Sequence, residues 1–131
     1  MANLRADEQA ILAEERRALD FWAQGRPARY FERWAEDASY FDDIGAHQRV
    51  DGLAALQAYG AALEGKIPPH QYRVVNPRVQ LAGDTAVLTL RYEPFDADNT
   101  PLQRWKATMV YQRLGASWRV VHGHWSMVEE P

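Results

Sequence analysis

The spacing of apolar residues changes at His70, and this change sets the fold class. Upstream, apolar side chains recur at helical spacing, whereas downstream β-branched and aromatic residues alternate with polar ones between turn signals. Helices followed by strands, without βαβ alternation, predict an α+β fold. We expect three N-terminal helices packed into the concave face of a curved, antiparallel or mixed sheet around a cone-shaped pocket. With 131 residues and 47% hydrophobic content, the chain suits a single domain over 1–131.

The first predicted helix covers 3–24 and ends at Gly25. Its apolar stripe consists of Ile11, Leu12, Ala18, Leu19 and Trp22. Its charged side consists of Glu14, Glu15, Arg16 and Arg17. Pro27 suits the first turn of a short second helix that carries Tyr30, Phe31 and Trp34. Asp51 is expected to cap a third helix, whose apolar stripe is Leu53, Leu56, Tyr59 and Leu63.

Strand patterns account for most of the remaining chain. A short aromatic strand is predicted over 38–43, followed by a loop over 45–49. Longer strands are predicted over 70–81, 85–95, 102–114 and 117–128. Proline cannot donate a ladder hydrogen bond, so Pro77 and Pro94 mark edges or bulges where the sheet bends.

Composition and charge exclude several classes of function. The net charge of −3 is spread without long runs of one sign, so we expect neither a nucleic-acid nor a membrane partner. The chain has no cysteine, which excludes disulfides and thiolate metal sites. No apolar run approaches the roughly 18 residues that cross a bilayer, and no cofactor motif is present. We expect no signal peptide, because the first residues do not combine a charged region with a following apolar one. We expect a soluble, cytoplasmic protein without a cofactor.

The order of elements resembles the nuclear-transport-factor-2-like fold. The final strand, W-x-x-V-H-x-H-x-S from Trp118 to Ser126, resembles the end of the association domain of calcium/calmodulin-dependent protein kinase II. The segment NPRVQLAGD from Asn76 and the arginine at Arg91 are also similar to that domain. The resemblance implies a non-catalytic domain that assembles subunits through its sheet.

The same fold includes ketosteroid isomerases, SnoaL-like polyketide cyclases, dehydratases and epoxide hydrolases. The segment ASYFDDIGAHQRVDG is similar to the isomerase pattern at its first strand, and this match places the isomerase's general base at Asp42. The isomerase's oxyanion donors correspond to Ala18 and Met109, which cannot donate hydrogen bonds. The resemblance therefore does not imply steroid isomerisation.

Asp42 has two interpretations. A carboxylate in an apolar pocket has a raised pKa and can act as a general base near neutral pH. Alternatively, because Asp42 and Asp43 precede a glycine turn, Asp42 can accept hydrogen bonds from the following loop.

His122 and His124 are two residues apart on a predicted strand, so they share one face. The isomerase resemblance implies that Val121, Gly123 and Trp125 face the cone. The two histidines would then lie on the outer sheet face, at a subunit interface. A bulge that reversed the alternation of side chains along this strand would instead place both histidines in the pocket, as acid/base candidates. His47 and His70 are the other histidines that could complete a metal site, but neither has zinc-motif spacing, so no metal is expected.

Seven further side chains are candidates for ligand binding: Trp34, Tyr40, Tyr59, Arg91, Trp105, Met109 and Trp125. The aromatic ones suit a small apolar or aromatic molecule, although single residues of this type also fill cores. Arg91 is either an anchor for an acidic group of the ligand or part of an outward salt bridge. The first hypothesis is thus a homodimer that binds such a molecule, with an isomerase-, cyclase- or dehydratase-like proton transfer by Asp42 as an extension. The alternative is a non-catalytic oligomerisation domain that self-associates through the outer sheet face.

Overall fold

In the computed structural model, residues 4–129 are described, and over this range the chain forms three helices and six strands. Asn3, where the first helix was predicted to begin, lies outside the described residues. The helices are α1 (Leu4–Ala23), α2 (Pro27–Tyr30) and α3 (Leu53–Ala62). The strands are β1 (Ser39–Phe41), β2 (Val50–Asp51), β3 (Gln71–Ala82), β4 (Thr85–Phe95), β5 (Trp105–Leu114) and β6 (Ser117–Met127). The predicted α+β order is confirmed.

The strands form a single curved sheet in the order β2-β1-β6-β5-β4-β3. Neighbouring strands are antiparallel except β1 and β6, which are parallel, so the sheet is mixed. The register of β3 on β4 shifts between Val75 and Arg78, which confirms the bulge predicted at Pro77. Pro94 lies beyond the last paired residues of the β4–β5 ladder, Tyr92 and Trp105, as expected for an edge position.

Several predicted boundaries are wrong for local reasons. Helix α2 ends at Tyr30, so Phe31 and Trp34 lie in the turns that follow, where the Ala35 N–H is bonded to the Val120 carbonyl of β6. Strand β5 begins at Trp105 instead of 102, because the preceding turn is longer than expected. Strand β2 was not predicted, since two residues carry no alternation.

Asp51 does not cap α3. The residue before this helix is Gly52, with a φ of 93°, a backbone conformation that glycine adopts without strain. The Asp51 carboxylate instead accepts a hydrogen bond from the Arg49 Nε at 2.6 Å. The chain turn into α3 therefore depends on glycine and not on a side-chain cap.

The helices cover one face of the sheet, and the core between them is strongly aromatic. The indole of Trp34 fills the narrow end of this core, and it lies directly over Gly123 of β6. The ring of Phe31 packs edge-on against Trp34 and Tyr40, with centroids 4.9 and 5.0 Å away. No helix in the described range is both long and apolar enough to cross a membrane.

We expect Gly123→Ala to lower the free energy of unfolding by about 2 kcal/mol. A Cβ at this position would lie 2.6 Å from Trp34 Cη2 and 2.8 Å from Met109 Sδ, so the buried indole would have to move. Urea unfolding measures the loss. In a Trp34→Phe background the substitution should cost less, because the smaller ring leaves space. An equal cost in both backgrounds would contradict the clash.

Candidate functional site

A cavity of about 180 Å³ opens between the helices and the sheet. Its lining is mostly apolar and aromatic and consists of Leu19, Trp22, Tyr30, Tyr40, Asp42, Ile44, Ile67, Pro68, His70, Tyr92, Pro94, Leu102, Gln103, Trp105 and Trp125. The exposed members Ile44, Pro68, Leu102 and Gln103 form what we call the mouth. Four of the buried members, Leu19, Tyr30, Tyr40 and Trp125, form the inner end. The cone is thus open at one end and filled by Trp34 at the other.

The cavity lining contains Tyr40, Trp105 and Trp125 from the predicted ligand-binding set, together with Asp42. Trp34 and Met109 are instead buried at the narrow end, where both contact the position of Gly123. Tyr59 lies behind Asp42 and donates a hydrogen bond to it. Ligand binding by the lining residues stays a prediction. Trp34, Met109 and Tyr59 do not line the cavity and instead pack behind the residues that do.

The placement of Arg91 beside the pocket is wrong. Along β4 the buried side chains are Ala86, Leu88, Leu90 and Tyr92, and strand alternation puts Arg91 on the opposite face. There its guanidinium lies 3.8 Å from the Glu93 carboxylate. Arg91 therefore forms the outward ion pair that was the alternative, and it does not offer an anchor for an acidic ligand.

Asp42 is buried, with 3% of the residue exposed, and its carboxylate is surrounded by hydrogen-bond donors. Its Oδ1 accepts from the backbone N–H groups of Ile44, Gly45 and Ala46 at 2.9 to 3.0 Å. Its Oδ2 accepts from the hydroxyls of Tyr40 and Tyr59 at 2.9 and 2.7 Å. A carboxylate has about four lone-pair sites, so five donors among the described residues saturate it.

Burial alone would raise the pKa of Asp42, but the hydrogen bonds from Ala46, Tyr59, Gly45 and Ile44 outweigh it and hold the pKa below its usual value. A carboxylate with a lowered pKa and no remaining acceptor capacity is a weak proton acceptor. The geometry therefore favours the structural interpretation of Asp42, in which it fixes the loop after β1.

His70 and Tyr92 form a polar pair in the cavity wall. His70 Nδ1 lies 2.8 Å from the Pro68 carbonyl oxygen, which can only accept, so Nδ1 carries a proton. Nε2 is then the acceptor for the Tyr92 hydroxyl. Burial raises the pKa of Tyr92, so the phenol remains protonated. Sequence reasoning considered His70 only as a metal ligand, because its partner is 22 residues away.

Glu15 does not lie on the charged side of α1. It is 2% exposed, and its Oε1 and Oε2 accept hydrogen bonds from Tyr111 at 2.6 Å and Tyr30 at 3.1 Å. Trp125 Nε1 in turn donates to the Tyr30 oxygen at 3.1 Å. The signal in the sequence is the spacing from Ile11, since a residue four positions later lies on the same helical stripe.

His122 and His124 lie on the outer sheet face, as the isomerase resemblance implied. The register of β5 on β6 shifts between Val110 and Tyr111, which makes Val121 the extra residue of a bulge. His122 Nδ1 lies 2.8 Å from the Ser39 hydroxyl, and Phe41 packs near both histidine rings. Burial lowers the pKa of His122, with His124 contributing in the same direction. Within residues 4–129, no cluster of three or more histidine and acidic residues could hold a metal ion.

A known family accounts for almost the whole chain, since the model of the SnoaL-like domain matches residues 12–130. The chain belongs to the SnoaL-like family. This SnoaL-like domain also has the nuclear-transport-factor-2-like fold of many solved structures, which confirms the resemblance found in the sequence. A search of curated proteins found no match.

Three solved structures illustrate the relationship of this SnoaL-like domain to other proteins. A protein from Parabacteroides distasonis, provisionally named a ketosteroid isomerase, is 28% identical with a TM-score of 0.77, over 91% of this chain and 86% of that chain. A provisionally named dehydratase from Streptomyces avermitilis is 17% identical with a TM-score of 0.80, over 98% and 100% of the two chains. A provisional calcium/calmodulin-dependent protein kinase II association domain from Xanthomonas campestris is 17% identical with a TM-score of 0.69, over 95% and 88%. The last two similarities show the fold alone.

Proposed function

We propose that this protein binds a small, mainly apolar molecule of about one ring in the cavity between its helices and its sheet. The supporting observation is the cavity of about 180 Å³ with its mostly aromatic and aliphatic lining. An apolar protein cavity of about 150 Å³ is large enough to hold benzene. A four-ring steroid is several times larger, so a single-ring ligand is the better match.

The charges around the cavity favour a neutral ligand over an acidic one. Arg91, the proposed anchor for an acid, is on the opposite sheet face. The described residues that line the cavity include the ionised Asp42 and no lysine or arginine. An anionic group would therefore meet a like charge in a poorly solvated site. The donors of His70 and Tyr92 already bind the Pro68 carbonyl and each other, which leaves the Tyr92 oxygen as an acceptor for a neutral hydroxyl group.

Ligand binding has stronger support than catalysis. One similar protein is provisionally named an isomerase and another a dehydratase. Proton abstraction by Asp42 in this chain would require it to exchange the hydrogen bonds that now saturate both of its oxygens. Fold similarity does not supply that reaction. Isomerase, cyclase or dehydratase activity through Asp42 thus has weaker support than ligand binding.

The proposal is tested by titrating α-methylstyrene into the protein and following the amide signals by NMR. We expect saturable binding with a Kd of about 0.1 to 1 mM, given on the order of 0.5 kcal/mol per non-hydrogen atom. Leu102→Trp places a bulky ring in the mouth and should weaken binding about tenfold. The absence of saturable binding would contradict the proposal.

Leu114→Trp is the matched control for this experiment. Leu102 and Leu114 are 38% and 43% exposed, but Leu114 lies at the β5–β6 turn and does not line the cavity. The affinity of Leu114→Trp should equal that of the wild type. Equal weakening by both substitutions would mean that the probe binds exposed apolar surface and not the cavity.

Self-association through the outer sheet face remains a prediction, as does a cytoplasmic location. An assembly role is suggested by the name of the kinase association domain from Xanthomonas campestris, whose similarity shows the fold alone. Sedimentation equilibrium distinguishes a monomer, a dimer and a larger ring.

A further inference from the structure

Tyr30 links the buried Glu15 carboxyl group to the inner end of the cavity. Its oxygen lies 3.1 Å from Glu15 Oε2, 3.1 Å from Trp125 Nε1 and 3.9 Å from Met109 Sδ. Tyr30 and Trp125 both line the cavity, whereas Glu15 does not. Tyr30 therefore connects the Glu15 carboxyl group to the cavity wall.

The hydrogen bonds at the Tyr30 oxygen have two possible arrangements, which differ in whether Glu15 is ionised or protonated. An indole N–H only donates, so Trp125 occupies one lone pair of the Tyr30 oxygen. When Glu15 is ionised, it accepts the single hydroxyl proton of Tyr30. When Glu15 is protonated on Oε2, it donates to the Tyr30 oxygen, and the Tyr30 proton becomes available to another acceptor.

The position of Tyr111 decides which oxygen of Glu15 takes the proton. Tyr111 donates to Oε1 at 2.6 Å, is 1% exposed and lies outside the cavity lining. Protonation of Oε1 would force the Tyr111 proton away from its partner in a buried place, which is costly. Protonation of Oε2 displaces the Tyr30 proton instead, and Tyr30, unlike Tyr111, lines the cavity.

We propose that Tyr30 is the hydrogen-bond donor for a carbonyl oxygen at the inner end of the cavity, and that Glu15 is the positioning residue that makes this proton available. The inference rests on the proposed function and adds the chemical class of the ligand, a neutral single-ring ketone or aldehyde. Such a ligand binds more tightly when Glu15 is protonated.

The electrostatic surroundings place this change near neutral pH. Burial raises the pKa of Glu15 to about 7, although hydrogen bonds from Tyr111 and Tyr30 oppose the increase. Glu14 raises this pKa further and Arg17 lowers it. Tyr72 of β3 also interacts with Glu15, and its phenol remains neutral because burial raises its pKa. Glu15 is thus mostly protonated below pH 7 and mostly ionised above it.

The test compares acetophenone with α-methylstyrene, which has the same shape but a methylene group in place of the carbonyl oxygen. Dissociation constants are measured by NMR at pH 5.5 and pH 8.5. Acetophenone should bind about fivefold more tightly at pH 5.5, the value of one ordinary hydrogen bond. The affinity of α-methylstyrene should be the same at both pH values. Identical pH profiles for the two probes would overturn the inference while leaving the proposed function intact.

Two substitutions assign the effect to Glu15 and Tyr30. Glu15→Gln keeps an acceptor for Tyr111 and gives Tyr30 a permanent donor, so acetophenone should bind tightly at both pH values. Tyr30→Phe should bind both probes but lose the preference for acetophenone at pH 5.5. Since His70 also borders the cavity, a pH dependence that persists in Glu15→Gln would overturn the role of Glu15.

Glu8→Gln is the matched control, because Glu8 is an exposed glutamate of the same helix. It should reproduce the wild-type profile, and a profile altered as in Glu15→Gln would overturn the assignment to Glu15. Failure of both probes to bind wild type at either pH would overturn the proposed function together with this inference.

Discussion

Asp42→Ala should lower the free energy of unfolding by about 4 kcal/mol, the largest loss that we expect from a single substitution. The substitution removes the acceptor for three backbone N–H groups and two tyrosine hydroxyls. Each buried donor that loses its partner costs about 1 to 3 kcal/mol, although some will find water through the mouth of the cavity. Urea unfolding at pH 7 measures the loss.

Asp43→Ala is the control for this experiment. The Asp43 carboxylate is exposed and accepts a hydrogen bond from the Met127 N–H at 2.9 Å, so its loss should cost about 1 kcal/mol or less. If Asp42→Ala were as stable as Asp43→Ala, the loop would not depend on Asp42. The carboxylate would then be free for chemistry, and the general-base interpretation would regain support.

The free energy of unfolding of Glu15→Gln, relative to the wild type, should be about 2 kcal/mol higher at pH 8 than at pH 5. The pKa of Glu15 rises from 4.5 to about 7 on folding, so the folded state binds this proton more tightly than the unfolded state does. The free energy of unfolding therefore falls as the pH rises from 4.5 through 7. Each unit of difference between the folded and unfolded pKa corresponds to about 1.4 kcal/mol. Glutamine does not ionise and avoids this loss. Urea unfolding of both proteins at the two pH values gives the difference.

The exposed Glu8→Gln substitution should change stability equally at pH 5 and pH 8. Other groups, such as Asp42, titrate in both proteins and cancel in the comparison. A Glu15→Gln difference that is independent of pH would mean that Glu15 ionises as easily in the folded state as in the unfolded state. That result would contradict the buried position of its carboxyl group.

The order of elements and the bend of the sheet were predictable because they depend on local signals. The change in apolar spacing at His70 and the proline at position 77 each determine the structure of only the neighbouring residues. Boundaries failed where tertiary contacts replaced local ones. Helix α2 stops at Tyr30, and the Val120 carbonyl binds the chain that follows.

The candidate site was harder to predict because its members meet only in three dimensions. Arg91 could have been assigned to the outer face from the alternation of Leu88, Leu90 and Tyr92. Glu15 was assigned to the charged side because charged residues are seldom fully buried, even though its spacing from Ile11 places it on the apolar stripe. No local pattern connects His70 to Tyr92, or Trp34 to Gly123.

Intermolecular NOEs between bound α-methylstyrene and the five tryptophan side chains would show where the molecule binds. We expect NOEs to the indole protons of Trp22, Trp105 and Trp125, which line the cavity, and none to Trp118 of β6, which does not. NOEs to Trp118 or to the exposed Leu114, without contacts to the three cavity indoles, would contradict binding in the cavity.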